Sequence, residues 1–198
     1  MAIYTTANNK GGSDKTTFAL NLIPHLDLDF VVDLDRYQAL KNVLSLSDNP
    51  IEVRVPTCEQ DIYDWAEEGK NVLFDCGGFD SDFNRAALSQ SDVIITPSND
   101  DPTAQLGLSH FNETMREVSK MVGEKLTANV VISRVHHART DFSVMSELVD
   151  SLDHLELLPF VIPFSTKIPA AQFEGSHVKT GAIAAKFSLL AKYIKVTR

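Results

Sequence analysis

Asn8-Asn9-Lys10-Gly11-Gly12-Ser13-Asp14-Lys15-Thr16-Thr17 separates a short apolar run, Ala2–Thr6, from a helix-forming stretch, Lys15–Ile23. A glycine-rich turn between a strand and a helix has a specific chemical use. The glycines let the backbone wrap an anion, and the free N–H groups at the helix start point at it. In such a phosphate loop Lys15 reaches the β- and γ-phosphates and the Thr16 hydroxyl ligates Mg²⁺. The common pattern G-x-x-x-x-G-K-[ST] is departed from twice here: the first glycine is displaced, and Asp14 stands where a glycine precedes the lysine. A glycine-rich turn without a ligand is the alternative.

Outward from this loop, short apolar runs alternate with longer helix-like stretches, the pattern of a parallel sheet with crossover helices. The expected strands are Ala2–Thr6, Phe30–Asp33, Val72–Asp75, Asp92–Thr96, Ala128–Ser133 and Leu157–Ile162. Most are continuously apolar rather than alternating, as strands covered on both faces should be. Helices are expected at Lys15–Ile23, Gln60–Glu67, Asp82–Ser89, Thr103–Val122, Asp141–Leu152 and Ile183–Tyr193, with Pro24 ending or bending the first. The 198 residues show no repeat, low-complexity segment or linker. The expectation is one α/β phosphate-loop NTPase domain over residues 1–198, a mostly parallel sheet with helices on both faces.

The loop's first departure is informative. K-G-G-x-G-K-T-T is the deviant Walker A motif of the ParA/MinD family, and Lys10-Gly11-Gly12-Ser13-Asp14-Lys15-Thr16-Thr17 resembles it with only Asp14 out of place. Val31-Val32-Asp33-Leu34-Asp35 resembles the family's first switch, although Arg36-Tyr37-Gln38 replaces its usual Pro-Gln start. Val72-Leu73-Phe74-Asp75-Cys76-Gly77-Gly78 resembles its Walker B strand and second switch. Either aspartate could also simply cap a strand end. Ala86-Ala87-Leu88 with Ser91–Pro97, Val130–Val135 with Arg139-Thr140, and Pro159–Phe164 with Glu174-Gly175 continue the likeness across essentially the whole chain. It is nearest to the small ParF-type plasmid partition ATPases, which lack an N-terminal helix-turn-helix domain; a first strand at Ala2 leaves no room for one here either.

The resemblance implies an ATP- and Mg²⁺-dependent switch. ATP is sandwiched in a homodimer, and Lys10 crosses to the partner's nucleotide to neutralise transition-state charge. Gly11 and Gly12 allow the partner backbone close, and Ser13, Asp14, Lys15, Thr16 and Thr17 line the phosphates. Asp35 positions the attacking water, so Lys10, Lys15 and Asp35 form the implied catalytic set. Thr16, Asp35 and Asp75 form the implied metal set. Ser133 and Arg134 lie beside the adenine, and Pro163 packs on its face. The loaded dimer binds DNA non-specifically, or membrane in the MinD branch, until a centromere-binding or adaptor protein stimulates hydrolysis.

Asp14 conflicts with this scheme. A carboxylate ~5 Å from a phosphate charge costs roughly 3 kcal/mol at an effective dielectric near 20. That is about a hundredfold in affinity, unless the side chain turns outward or is neutralised. Aspartate is also less tolerant than glycine of unusual backbone angles. The expectation is impaired ATP binding with slow or absent hydrolysis, either in a natural degenerate ATPase or in an altered form of an active one.

Composition narrows the alternatives. Hydrophobic residues at 43% and charged residues at 23% exclude wholesale disorder. No run approaches the roughly 20 apolar residues of a membrane span, and the N-terminus has no signal-peptide pattern, which points to the cytoplasm. A net charge of −9 argues against a generally basic nucleic-acid binder. From Lys167 onward, however, Lys167, Lys179, Lys186, Lys192, Lys195 and Arg198 face only Glu174; this tail carries +5 and residues 1–166 carry −14. The tail's amphipathic helix admits three uses: packing on the sheet, a DNA-backbone patch through Lys179, Lys186, Lys192 and Lys195, or a membrane-surface helix.

Cys58 and Cys76 form no metal or disulfide framework and are expected as two buried thiols. His136-His137 lacks a ligand framework. Tyr63 and Trp65 are expected to anchor packing, and Asn99-Asp100-Asp101 to form a solvated loop and helix cap. Against the partition reading stand a nucleotide-independent scaffold and a MinD-like membrane-positioning ATPase. A metabolic ligase is disfavoured because no extra substrate-binding segment is evident. An iron–sulfur role is disfavoured because neither cysteine has a suitable motif.

Overall fold

The structure is a computed structural model and describes residues 1–196; Arg198 of the basic tail lies outside the described residues. Seven strands form one sheet: β1 (Ile3–Thr6), β2 (Phe30–Asp33), β3 (Val53–Arg54), β4 (Val72–Asp75), β5 (Val93–Ser98), β6 (Ala128–Val135) and β7 (Leu155–Pro163). Their order is β3-β2-β4-β1-β5-β6-β7. Every described pairing is parallel, so the expected "mostly parallel" sheet is wholly parallel. The chain leaves β1 toward one edge of the sheet and β5 toward the other. The crevice between their carboxyl ends is therefore the topological switch point, and the glycine-rich loop begins there.

The helices are α1 (Lys15–Leu22), α2 (Ala39–Leu44), α3 (Glu59–Glu67), α4 (Asp82–Ser89), α5 (Pro102–Val122), α6 (Ser143–Asp150), α7 (Lys167–Phe173) and α8 (Ala182–Val196). Pro24 acts as expected: α1 ends at Leu22, and a 3₁₀ turn covers Ile23–His25. Alternation along the strands sends side chains to two cores. On one face Ile3, Phe30, Val32, Val72 and Phe74 meet Ile62 of α3, Ala87 of α4, Phe111 and Met115 of α5, and Met145 of α6. On the other, Tyr4, Val31, Leu73 and Ile95 meet Phe18 and Leu22 of α1, Leu40 of α2, and Phe187, Leu190 and Ile194 of α8. The tail helix thus packs on the sheet through Ile183, Phe187, Leu190 and Ile194, while Leu189 stays exposed.

Three elements escape sequence patterning. β3 is a two-residue edge strand. α2 has six residues, and its N-cap, Gln38, is left-handed with φ 51°. α7 carries Pro169 as its third residue, which reads as a breaker. That position lies within the first turn, where the N–H has no intrahelical partner to lose, so the helix tolerates it. The pair of buried thiols is corrected by half: Cys76 is buried, but Cys58 is exposed because it stands at the N-cap of α3. Trp65 packs edge-on against Phe30 at 6.5 Å, an anchor as expected. Asp101 caps α5 by accepting from Ala104 N at 2.7 Å, with Pro102 at the first helical position.

Candidate functional site

The loop from β1 to α1 is shaped by close backbone contact as well as by conformation. Gly12 has φ +73°, a left-handed angle that suits glycine. Gly78, beyond β4, lies so near the loop that a Cβ there would be 2.8 Å from Gly11 Cα and 3.2 Å from Gly11 N. No atom lies within 4 Å of a Cβ built on Gly11 itself. Gly11 therefore faces open space on one side and the second glycine pair on the other.

Inside the loop the Lys15 ammonium is buried and donates to Lys10 O at 3.1 Å and Ser13 Oγ at 3.2 Å. Burial pulls its pKa down, and the nearby Asp75 opposes that pull. At the floor, Thr16 Oγ1 donates to Asp75 Oδ2 at 2.7 Å and Thr6 Oγ1 donates to Asp75 Oδ1 at 2.8 Å. An ammonium resting on neutral oxygens beside a helix N-terminus is suited to an incoming anion. Hydroxyl and carboxylate oxygens suit Mg²⁺, which keeps several waters and takes few protein ligands.

Burial pushes the Asp75 carboxyl up to about 7, against the pull of the Thr16 and Thr6 hydrogen bonds. In the unfolded chain it ionises near pH ~4, so between about pH 4 and 7 the folded state holds a proton that the unfolded state has released. The burial of Asp75 becomes more costly as pH rises through this window. Asp75→Asn, neutral throughout, should gain unfolding free energy relative to the parent between pH ~5 and pH ~8 in the absence of nucleotide and metal. Urea unfolding of both proteins at the two pH values reads this difference. A stability gap independent of pH would contradict it.

The segment after β2 divides its two aspartates between different contacts. Asp33 is buried and accepts from Asp35 N at 3.0 Å and Lys41 N at 2.9 Å, tying the turn after β2 to α2. Asp35 accepts from Tyr37 N at 2.8 Å and lies within electrostatic reach of Lys15. Tyr37 projects into solvent. Lys10 is held within its own chain: Nζ donates to Thr103 Oγ1 at 2.7 Å and sits 3.6 Å from the Asp101 carboxylate at the start of α5. Gly107, one turn further on, clears its stem, since a Cβ there would be 3.2 Å from Lys10 Cβ.

Asp14 adopts φ 68° and ψ 14°, left-handed values more natural to glycine. Its carboxylate turns to the strand side, accepting from Ser133 Oγ at 3.1 Å and lying 3.4 Å from Arg134 Nη1. Arg134 also donates to Gly12 O at 3.3 Å. The guanidinium is aimed by a break in the β6–β7 register, where Arg134 has φ 55°. Burial raises the pKa of Asp14, while Arg134 pulls it down. Of the two exceptions to the like-charge argument, the structure has the second: the carboxylate is paired.

Beside this pair opens a cavity of about 250 Å³, walled by Phe18, Ile162, Pro163 and Phe164 and edged by Asp14 and Ser133. The structure thus gathers Lys10 to Thr17, Asp35, Asp75, Ser133, Arg134 and Pro163 around one loop. Lys179, Lys186, Lys192 and Lys195 stand apart, on α8 and the segment before it. Sequence reading missed Thr6, which secures Asp75, and Thr103 with Asp101, which hold Lys10. Nothing local marks these residues, because their partners lie 69 and 93 positions away for the two threonines.

No protein-family model matches the chain, and no curated protein matches it. Solved structures do match it over nearly their whole length. The cell division ATPase MinD of Pyrococcus furiosus is 17% identical with a TM-score of 0.73, over 100% of this chain and 99% of that one. The septum site-determining protein MinD of Pyrococcus horikoshii, complexed with Mg-ADP, is 17% identical with a TM-score of 0.70, over 98% and 95%. ParA of pNOB8, bound to nonspecific DNA, is 14% identical with a TM-score of 0.61, over 98% and 97%. At these identities the fold is what the chain shares with them.

Proposed function

We propose that this chain, residues 1–198 as one domain, is a ParA-type ATP-dependent switch that partitions or positions DNA cargo. The observation that carries this reading is the joining of Lys15, Thr16 and Asp75 at the switch point, with Lys10 on the same loop. Bound ATP with Mg²⁺ would supply the phosphoanhydride to be cleaved. Lys15 would then exchange its loop oxygens for the β- and γ-phosphates, helped by the amides of Gly11, Gly12, Ser13, Asp14 and Thr17. Thr16 and Asp75 would hold the metal, and Asp35 would orient water and reach the metal from the first switch. Ser133, Arg134 and Pro163 would border the base in the apolar cavity.

Lys10 would leave Thr103 and Asp101 to reach the nucleotide of a second copy, so loading would be coupled to dimer formation. The dimer would present Lys179, Lys186, Lys192 and Lys195 to the DNA backbone without reading sequence. A centromere-binding or adaptor protein would reset it, and the protein would work in the cytoplasm, on the nucleoid when DNA-bound. The fold-level likeness to ParA bound to nonspecific DNA supports the DNA reading. A membrane-positioning role is less well supported. The apolar side chains Phe187, Leu190 and Ile194 of α8, which a membrane-surface helix would turn to lipid, are buried against the sheet.

The Asp14–Arg134 pair favours a second reading, a scaffold that dimerises or binds its adaptor without nucleotide. Light scattering of this chain and of Asp14→Gly, each with and without Mg-ATP, separates the two. A nucleotide-induced dimer that disappears in Lys10→Ala is the expected result. Unchanged size with nucleotide in both proteins would overturn the switch and leave the scaffold.

A further inference from the structure

The 3₁₀ turn that follows α1 carries His25, whose ring centroid lies 6.5 Å from that of His177, in the segment between α7 and α8. Both rings are half-buried. The groups around them are mostly cationic. Lys192 and Lys195 of α8 act on His25, and Lys179 acts on His177. The nearby carboxylate is Asp27, whose Oδ2 lies 2.5 Å from Lys195 Nζ. Asn21 of α1 accepts from Val178 N at 3.0 Å and so fixes the segment bearing His177 against the helix that leads into the His25 turn. Lys179 and Lys192 are exposed. In a body otherwise strongly acidic, three elements converge two imidazoles and three ammonium groups on one place.

We propose that His25 and His177 form a proton-taking clamp for a phosphodiester of the DNA backbone, framed by Lys179, Lys192 and Lys195. This rests on the DNA-binding reading above and adds to it two residues and a dependence on pH. Burial, Lys195 and Lys192 hold His25 below its ordinary pKa, and burial, the His25 ring and Lys179 do the same to His177. The free patch therefore keeps its imidazoles neutral near pH ~7. A phosphate between the rings reverses the balance, because an anion at hydrogen-bond distance favours the imidazolium. Binding then takes up protons, and by linkage the affinity rises as pH falls. α1 starts at the phosphate loop and runs to the turn that bears His25, so one eight-residue helix joins the two sites.

The test is anisotropy of a short labelled duplex of random sequence with Mg-ATP at constant ionic strength, using this chain and its Asp14→Gly variant, in which nucleotide loading is expected to be restored; the histidine substitutions are made in both. Between about pH 7.5 and pH 6 the affinity should rise about tenfold. In the His25→Gln/His177→Gln protein that rise should disappear, leaving only the salt dependence set by the lysines. The C2 protons of His25 and His177 followed by NMR should titrate at higher pH with inorganic phosphate or duplex than without. An unaltered pH slope in the double variant, or histidines whose titration ignores both phosphate and duplex, would overturn the clamp. Raised histidine pKa values with phosphate but no duplex binding at any pH would overturn DNA as the ligand. So would proton-dependent binding to phosphatidylglycerol vesicles alone.

Discussion

Asp14→Gly should tighten Mg-ATP binding by about a hundredfold, measured by titration calorimetry with turnover recorded alongside. Two costs disappear together in that variant. The first is charge: the carboxylate is carried by the residue that begins α1, near where an incoming phosphate would sit, and its pairing with Arg134 at 3.4 Å is across a half-exposed guanidinium. The structure shows that this charge is partly compensated in the empty site. The compensation, however, ties up Ser133 and Arg134, the two residues expected beside the base. The second cost is conformational, since φ 68° and ψ 14° strain a residue with a Cβ by about 1 kcal/mol or more.

Asp14→Asn separates these contributions. Asparagine tolerates the left-handed region about as well as aspartate but carries no charge. Recovery of most of the affinity by Asn assigns the defect to charge, and recovery by Gly alone assigns it to the backbone. Tight binding by the unaltered chain would remove the electrostatic argument. Failure of all three proteins to bind would leave the loop without a nucleotide role and bring the scaffold forward.

Gly78→Ala should be the most damaging single methyl in the molecule's functional region. The added Cβ would sit 2.8 Å from Gly11 Cα, and the nearby atoms are backbone rather than the end of a flexible side chain. Either the phosphate loop or the turn after β4 must move, and overpacking of this kind typically costs about 1–3 kcal/mol. For a chain of this size that corresponds to a melting temperature lower by roughly 2–12 °C. In the Asp14→Gly background, nucleotide affinity should also fall by at least about tenfold, because the shift reaches Lys10 and Gly11 directly.

Gly11→Ala is the informative contrast. Its Cβ points into open space, so the isolated chain should keep its stability. A loss confined to nucleotide-dependent dimer formation would match the close approach of a second copy at that glycine. Equal destabilisation by both alanines would mean that the two glycine turns are not packed as described.

Much of this molecule was legible along the chain. Lys15, Thr16 and Asp75 are recognisable because the strand–glycine–helix order and the apolar strand before Asp75 are local patterns. The six longer strands and six of the helices are legible for the same reason: a buried parallel strand is a run of Val, Ile and Leu, and Asp101-Pro102 announces the start of α5. α7 was hidden by Pro169, whose meaning depends on its place within the first turn, and β3 was hidden by being two residues long at an edge.

By itself the sequence determined a parallel sheet with helices on both faces, the position of the phosphate loop between the first strand and the first helix, and the charge conflict at Asp14. These follow from spacing and residue chemistry within a few positions. Only the tertiary structure decided where the Asp14 carboxylate goes, because Ser133 and Arg134 lie 119 and 120 residues away and are aimed by an irregularity between β6 and β7. It alone placed Gly78 on Gly11, Lys10 on Thr103 and His25 opposite His177. Periodicity specifies which face of an element is buried; which distant group meets it there depends on the closing of loops and the packing of both helix layers on a shared sheet.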